Sequence, residues 1–287
     1  MKNYLSLIKF SHTVFALPFA MIGFFLGYKI LGTDFQPLLF VSVILCMVFA
    51  RSAAMAFNRW LDRDIDANNP RTVVREIPSG LVPENAAFWF VIVNSLLFIT
   101  TTYFINTICF ILSPVALLVI LGYSYTKRFT AWCHLVLGLG LALAPIGAFL
   151  AVTGHFDMIP ILFGASVLFW VAGFDVIYAL QDEGFDRSQK LHSIPVVFGT
   201  QRSMDLSSAM HFICICLIVS AVILSTQTFE SVSLIAGLGL FIFILLLIYQ
   251  HIIIKPNDLS RINLAFFTTN GVASLIFGSL FIVDLLF

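Results

Sequence analysis

The stretch PLLFVSVILCMVFARSAAMAFNRWLDRDIDANNPRTVVRE, residues 37–76, changes character halfway along. Residues 37–57 are mostly apolar and long enough to cross a bilayer as a helix, which needs roughly 20 residues. The next nineteen residues, Asn58–Glu76, carry eight charges. Elsewhere charge is scarce: 10% of the 287 residues are charged and 60% are hydrophobic, with a mean hydropathy of +1.02. Soluble domains run nearer half apolar and about a quarter charged, so the chain is read as an integral membrane protein. The charged stretch must then be retained for what its groups hold.

Working outward, hydrophobic length predicts about nine spans, at 10–31, 37–57, 86–105, 108–126, 132–152, 158–180, 209–226, 232–253 and 264–285. The first is too long for a signal-peptide core and is read as a retained helix. With the N-terminus in the cytosol, alternation leaves only Lys29 of the 15 Lys and Arg residues outside, the bias expected of cytoplasmic loops. The two longest loops, 58–85 and 181–208, follow the second and sixth spans on that same side. The expected fold is all-α: a polytopic membrane bundle of about nine transmembrane helices with a polar cytosolic cap, residues 1–287 forming one domain. A net charge of zero gives no sign of a nucleic-acid partner. The five cysteines (Cys46, Cys109, Cys133, Cys214, Cys216) lack C-x-x-C spacing and are read as free thiols.

Acidic residues at helical spacing stand at the ends of the second and sixth spans. Asn58, Asp62 and Asp66 stand at i, i+4 and i+8, within some 80° of helical arc, while Asp64 points away. Asp175, Asp182 and Asp186 fall within about 40° on an unbroken helix, with Tyr178 beside them and Gly184 able to interrupt the last turn. A charged loop is ordinary in a membrane protein, but two such stripes at equivalent ends of two spans are not. Carboxylates near membrane depth mark function, and facing stripes repel unless cations intervene. Oxygen-only donors favour Mg²⁺, which binds through one or two carboxylates plus substrate phosphates. Arg71, Arg75, Lys127, Arg128 and Lys190 flank the stripes and complete a pocket for a polyanion, most simply a diphosphate.

At these residues the chain resembles the UbiA-type intramembrane prenyltransferases. The family's N-D-x-x-D-x-x-x-D appears as N-R-W-L-D-R-D-I-D (58–66), followed by N-P-R-T and R-E-I-P-S-G (69–80). Its D-x-x-Y-A-x-x-D-x-x-x-D appears as D-V-I-Y-A-L-Q-D-E-G-F-D (175–186), and Y-P-x-x-K-R as Y-S-Y-T-K-R (123–128). The likeness extends over essentially the whole chain, including an Asn270 element. It implies that Asn58, Asp62, Asp66, Asp175, Asp182 and Asp186 hold Mg²⁺, with Asp62, Asp66, Asp175 and Asp182 the catalytic core. It also implies that Arg71, Arg75, Lys127 and Arg128 contact the phosphates, a set Lys190 joins by position. The group most resembled is the 4-hydroxybenzoate polyprenyltransferase-like enzymes of ubiquinone and menaquinone synthesis. K-F-S-H-T-V-F-A-L-P-F (9–19) looks like the first helix of the futalosine-associated branch, which leaves a naphthoate or a futalosine-pathway intermediate open as acceptor. Arg59 replaces the common Asp, Ser124 replaces Pro, and His192 stands where many members carry Lys, departures that touch the acceptor's identity more than the metal site.

The expected chemistry is Mg²⁺-assisted ionisation of a polyprenyl diphosphate, then attack on the allylic cation by an aromatic hydroxy acid in a water-poor cavity. Tyr178 and Tyr123 are nominated to contact the cation or the acceptor, with Tyr125 nearby. His12 is placed near the cytosolic end of the first helix, and His134, His155, His211 and His251 receive no role. Asp157, Glu230 and Asp284 are expected at the outer face, solvated. A bacterial plasma membrane is expected, the site facing the cytosol. A lipid phosphotransferase would carry a D-G-x-x-A-R…D-x-x-x-D motif that does not occur here, and a cation-coupled transporter would place charge near mid-membrane.

Overall fold

The computed structural model describes residues 6, 7 and 15–287. The part of the first apolar segment that is described is α1, Leu17–Leu31, stopped where Gly32 turns left-handed (φ 60°). Then follow α2 (Pro37–Leu61), the short α3 (Arg63–Asn68), α4 (Glu84–Ile105), α5 (Thr107–Thr126), α6 (Cys133–Thr153) and α7 (Met158–Ala179). After a 3₁₀ turn (Leu180–Asp182) come α8 (Glu183–Ser188), α9 (Ile194–Thr228), α10 (Leu234–Ile253), a π turn (Leu264–Thr269) and α11 (Asn270–Leu286). Among the described residues eight helical segments are long and apolar enough to cross a membrane, and the 15-residue α1 is a ninth apolar helix. The all-α membrane bundle expected from the sequence is the fold observed.

α1 is sheathed by other helices, with Phe19, Ile22, Phe24 and Leu26 all fully or almost fully buried. Its approach to α6 is close enough that a Cβ on Gly23 would lie 2.0 Å from the Pro145 carbonyl oxygen. Gly138 of α6 meets α7 the same way, 2.2 Å from the Leu168 oxygen. In lipid, where tails are as apolar as leucine, such backbone-to-backbone packing drives helix association. The core between them is aromatic: Phe19, Trp170, Phe243 and Phe277 meet with ring centroids 5.4–6.2 Å apart. Trp170 Nε1 and Gln250 Nε2 both donate to Asn270 Oδ1, at 2.9 and 2.7 Å, so the Asn270 element ties α7, α10 and α11 together. Outward faces carry bare leucine and phenylalanine, such as Leu38, Phe104, Leu118 and Leu234, as a lipid-facing surface should.

Three expectations change. The segment 181–208 is not mainly loop: α8 forms within it and α9 begins at Ile194, broken only at Gly199 (φ 76°). Gln201, Arg202 and Asp205 end the hydrophobic run there without ending the helix. The second acidic stripe is interrupted at the 3₁₀ turn, before Gly184 rather than at it. Asp284 is buried rather than solvated, because it accepts from the Ser233 and Ala236 amides (2.7 and 2.8 Å) and satisfies the start of α10. Glu230 is exposed, and Asp157 caps α7 by accepting from Ile159 N at 2.9 Å.

Candidate active site

The first stripe survives a change of helix. α2 stops at Leu61 and α3 starts at Arg63, yet Asp62 N donates to Asn58 O (3.0 Å) and Asp66 N to Asp62 O (2.7 Å). The i+4 ladder therefore keeps Asn58, Asp62 and Asp66 on one face, with Asp62 and Asp66 buried and Asp64 exposed. Each carboxylate is claimed by a cation that sequence had flagged. Asp66 takes Arg75 Nη1 on both oxygens (2.7 and 2.8 Å). Asp62 takes Lys127 Nζ at 2.5 Å and Arg128 Nη2 at 3.0 Å, and Asn58 Nδ2 at 3.2 Å. The end of α5 thus docks onto the first motif.

The second motif is joined to the first from the other side. Arg71, in the loop after α3, donates Nε to Asp182 Oδ1 at 2.9 Å, Nη2 to Asp182 Oδ2, and Nη1 to the Tyr178 hydroxyl at 3.1 Å. Asn69 Nδ2 reaches the same carboxylate at 3.5 Å. Burial opposes the Arg71 charge, but Asp182 and Tyr178 outweigh it and hold the guanidinium above its ordinary value. Asp186 lies within the fields of Asp182, Lys127, His134 and Arg71, and Tyr123 within those of Asp62, Asp175 and Arg59. The ends of α2, α5 and α7 therefore converge on one charged enclosure.

Sequence reasoning assigned His134 nothing, and it is part of this enclosure. It is buried, with Nδ1 2.7 Å from Asp175 Oδ2 and Nε2 accepting from Ile194 N at 3.4 Å. No spacing could reveal a pair 41 residues apart. Arg59 was noted only as a departure and is also buried, its Nη1 4.0 Å from Asp66 Oδ2. Lys190 sits in a left-handed turn (φ 55°) with its side chain exposed and in no ion pair among the described residues. His192 is exposed, its amide donating to Lys127 O at 2.7 Å. His211 and His251 pair at 2.8 Å, with His211 packed against Gly173 of α7. His12 lies outside the described residues.

Below the carboxylates an aromatic wall descends into the core. Tyr178 faces Phe266 of the π turn at 4.1 Å between centroids, and Phe266, Phe174 and Trp170 follow at 5.2 and 5.4 Å. Tyr178 was legible from its motif; Phe266 depends on the π turn, which hydropathy does not signal. Among the described residues no three His, Cys, Asp or Glu side chains are gathered as a metal cluster. The donor set nonetheless suits a hard cation: the stripes offer oxygen alone, and Asp186 faces Asp182 with no ion pair or side-chain hydrogen bond of its own among the described residues.

Two acidic helix ends of the bundle are thus joined by Arg71 and Asn69 of the first motif, which reach Asp182 of the second. Residues 16–272 match the UbiA prenyltransferase family. The chain belongs to that family, and is thereby a prenyltransferase. It is 29% identical to the 4-hydroxybenzoate octaprenyltransferase of Nitrosomonas eutropha over 255 residues, 88% of this chain and 86% of the relative. Its fold is similar to a UbiA homolog from Aeropyrum pernix K1, with TM-score 0.84, 31% identity, and coverage of 96% and 98% of the two chains. A UbiA homolog from Archaeoglobus fulgidus, solved bound to GPP and Mg²⁺, shares the fold at TM-score 0.74 and 20% identity, over 99% of each chain.

Proposed function

We propose that the protein transfers a polyprenyl group from an allylic polyprenyl diphosphate to an aromatic hydroxy acid, 4-hydroxybenzoate or a related ring, in ubiquinone or menaquinone synthesis. The observation that carries this reading is the clasp between the motifs, with Arg71 and Asn69 of the first reaching Asp182 of the second. Support comes from the octaprenyltransferase relatives and from the GPP and Mg²⁺ bound by the Archaeoglobus homolog. The same reading puts the charged end toward the cytosol of a bacterial plasma membrane, by the Lys and Arg bias.

Asn58, Asp62, Asp66, Asp175, Asp182 and Asp186 would hold Mg²⁺, which supplies Lewis-acid stabilisation of charge on the departing diphosphate. Arg71, Arg75, Lys127 and Arg128 now neutralise three of these aspartates. Turning the same donors to phosphate oxygens frees the carboxylates for cations, so one set of arms serves both partners. When the allylic C–O bond breaks, its electron pair leaves with the diphosphate. The cation left behind faces Tyr178 and Phe266, each ring face worth roughly 0.5–2 kcal/mol. The apolar wall excludes water. An electron-rich ring carbon then forms the new C–C bond, and loss of the ring proton restores aromaticity.

Purified protein incubated with a polyprenyl diphosphate, Mg²⁺ and labelled 4-hydroxybenzoate or a hydroxynaphthoate should yield a prenylated acid. Chelation should abolish the product and added Mg²⁺ restore it. Absence of product with every phenolic acceptor tried would overturn the assignment.

A further inference from the structure

The π turn at Leu264–Thr269 runs straight into α11, with no proline or glycine inside it to force the change of winding. Such turns are rare inside helices and favour functional sites. Two side chains hold this one. Thr269 Oγ1 donates to Leu264 O at 3.1 Å, and Asn270 Nδ2 donates to Ala265 O at 3.2 Å and to Phe266 O at 3.0 Å. Asn270 is 0% exposed, and its Oδ1 accepts from Trp170 Nε1 and Gln250 Nε2. Both donors and both lone-pair positions of the amide are therefore in use. A buried amide so fully committed is costly to disturb, and it fixes the winding of the turn against α7 and α10.

That winding decides where one ring goes. Phe266 lies against Tyr178, with centroids 4.1 Å apart and planes at 31°, and meets Phe174 edge-on at 5.2 Å. Relaxed to α geometry, the turn would swing its first residues round the axis by roughly a quarter turn and take Phe266 off Tyr178. Tyr178 is in turn tied to the charged clasp: its hydroxyl accepts from Arg71 Nη1 at 3.1 Å, and Arg71 also holds Asp182. The path from Asn270 to the clasp thus runs through two rings. We propose that Asn270 is a positioning residue that holds the π turn so that Phe266 covers Tyr178 and seals the site against water while the allylic cation awaits the acceptor. Without that seal a water oxygen attacks the cation, a proton is lost, and the prenyl group leaves as the alcohol. This rests on the prenyl-transfer reading above.

The test supplies labelled polyprenyl diphosphate and Mg²⁺ with 4-hydroxybenzoate and, separately, a hydroxynaphthoate. It measures how the consumed diphosphate divides between prenylated acid and prenyl alcohol. This ratio does not depend on how much of a preparation is folded, so a merely structural defect leaves it unchanged. Wild type should give mainly prenylated acid. Phe266→Leu, which keeps an apolar side chain, and Asn270→Ala should each raise the alcohol share about threefold or more. The double variant should add little to either single change, as expected when one residue acts through the other. Should Asn270→Ala not fold, Asn270→Asp keeps the oxygen reached by Trp170 and Gln250, removes the paired Nδ2 donors, and should shift the ratio the same way. An alcohol share unmoved by the Asn270 change, or effects that simply multiply in the double variant, would overturn the role of Asn270 alone. A wild type that prenylates no aromatic acid would overturn the parent reading and this role with it.

Discussion

Asp62 and Asp64 are two residues apart and in opposite circumstances. Asp62 is 1% exposed and held by Lys127, Arg128 and Asn58, while Asp64 faces solvent. Asp62→Ala should lower turnover at least about a hundredfold, and Asp64→Ala should leave it within about threefold, both read as initial rates on folded protein. Equal effects would mean that the helical face is irrelevant. The Asp175 carboxylate depends on His134, whose Nε2 accepts a backbone N–H and so leaves Nδ1–H to donate. His134→Asn places an amide donor near the Nδ1 position and should retain most activity, whereas His134→Ala should lose about tenfold or more. The stripe residues were legible because a helix repeats every four. Arg59 could be read as a departure but not as buried, and His134 could not be read at all, since its meaning lies in a contact between α6 and α7.

At the scale of elements, hydropathy located the apolar cores of the helices and misjudged their polar ends. α2 runs on into α3, and α9 begins 15 residues before the predicted span, because Gln201, Arg202 and Asp205 are polar without being helix breakers. The π turn at Leu264–Thr269 was invisible for a different reason: hydropathy does not distinguish it from an α-helix, although it carries Phe266 against Tyr178. Helix contact, by contrast, makes a sharp prediction. Gly23→Ala would drive a methyl into the Pro145 carbonyl, while Gly122 of α5 has open space around it. Gly23→Ala should destabilise the protein by about 1–3 kcal/mol and lower its melting temperature in detergent, with Gly122→Ala near wild type. A Gly23→Ala protein as stable as wild type would show that α1 and α6 are not in contact.

Over the whole molecule, charge is gathered at one end of an apolar bundle, which is what an enzyme needs if its diphosphate comes from water and its prenyl chain from lipid. A transporter would carry ionisable groups along its length; here the linked aspartates lie where α2 and α7 end. Cysteines introduced at Ser188 and Asp34, in a background without the five native thiols, should be labelled from opposite sides of the membrane, Ser188 only from the cytosol. Labelling of both from one side would refute the topology. The central claim, that the two acidic motifs share one diphosphate, is tested most directly by solving the structure with Mn²⁺ and a non-hydrolysable polyprenyl diphosphate analogue. The account predicts metal signal and diphosphate density lying between Asp62 and Asp66 on one side and Asp175 and Asp182 on the other. Density held by only one motif, with the second still closed on its own cations, would contradict it.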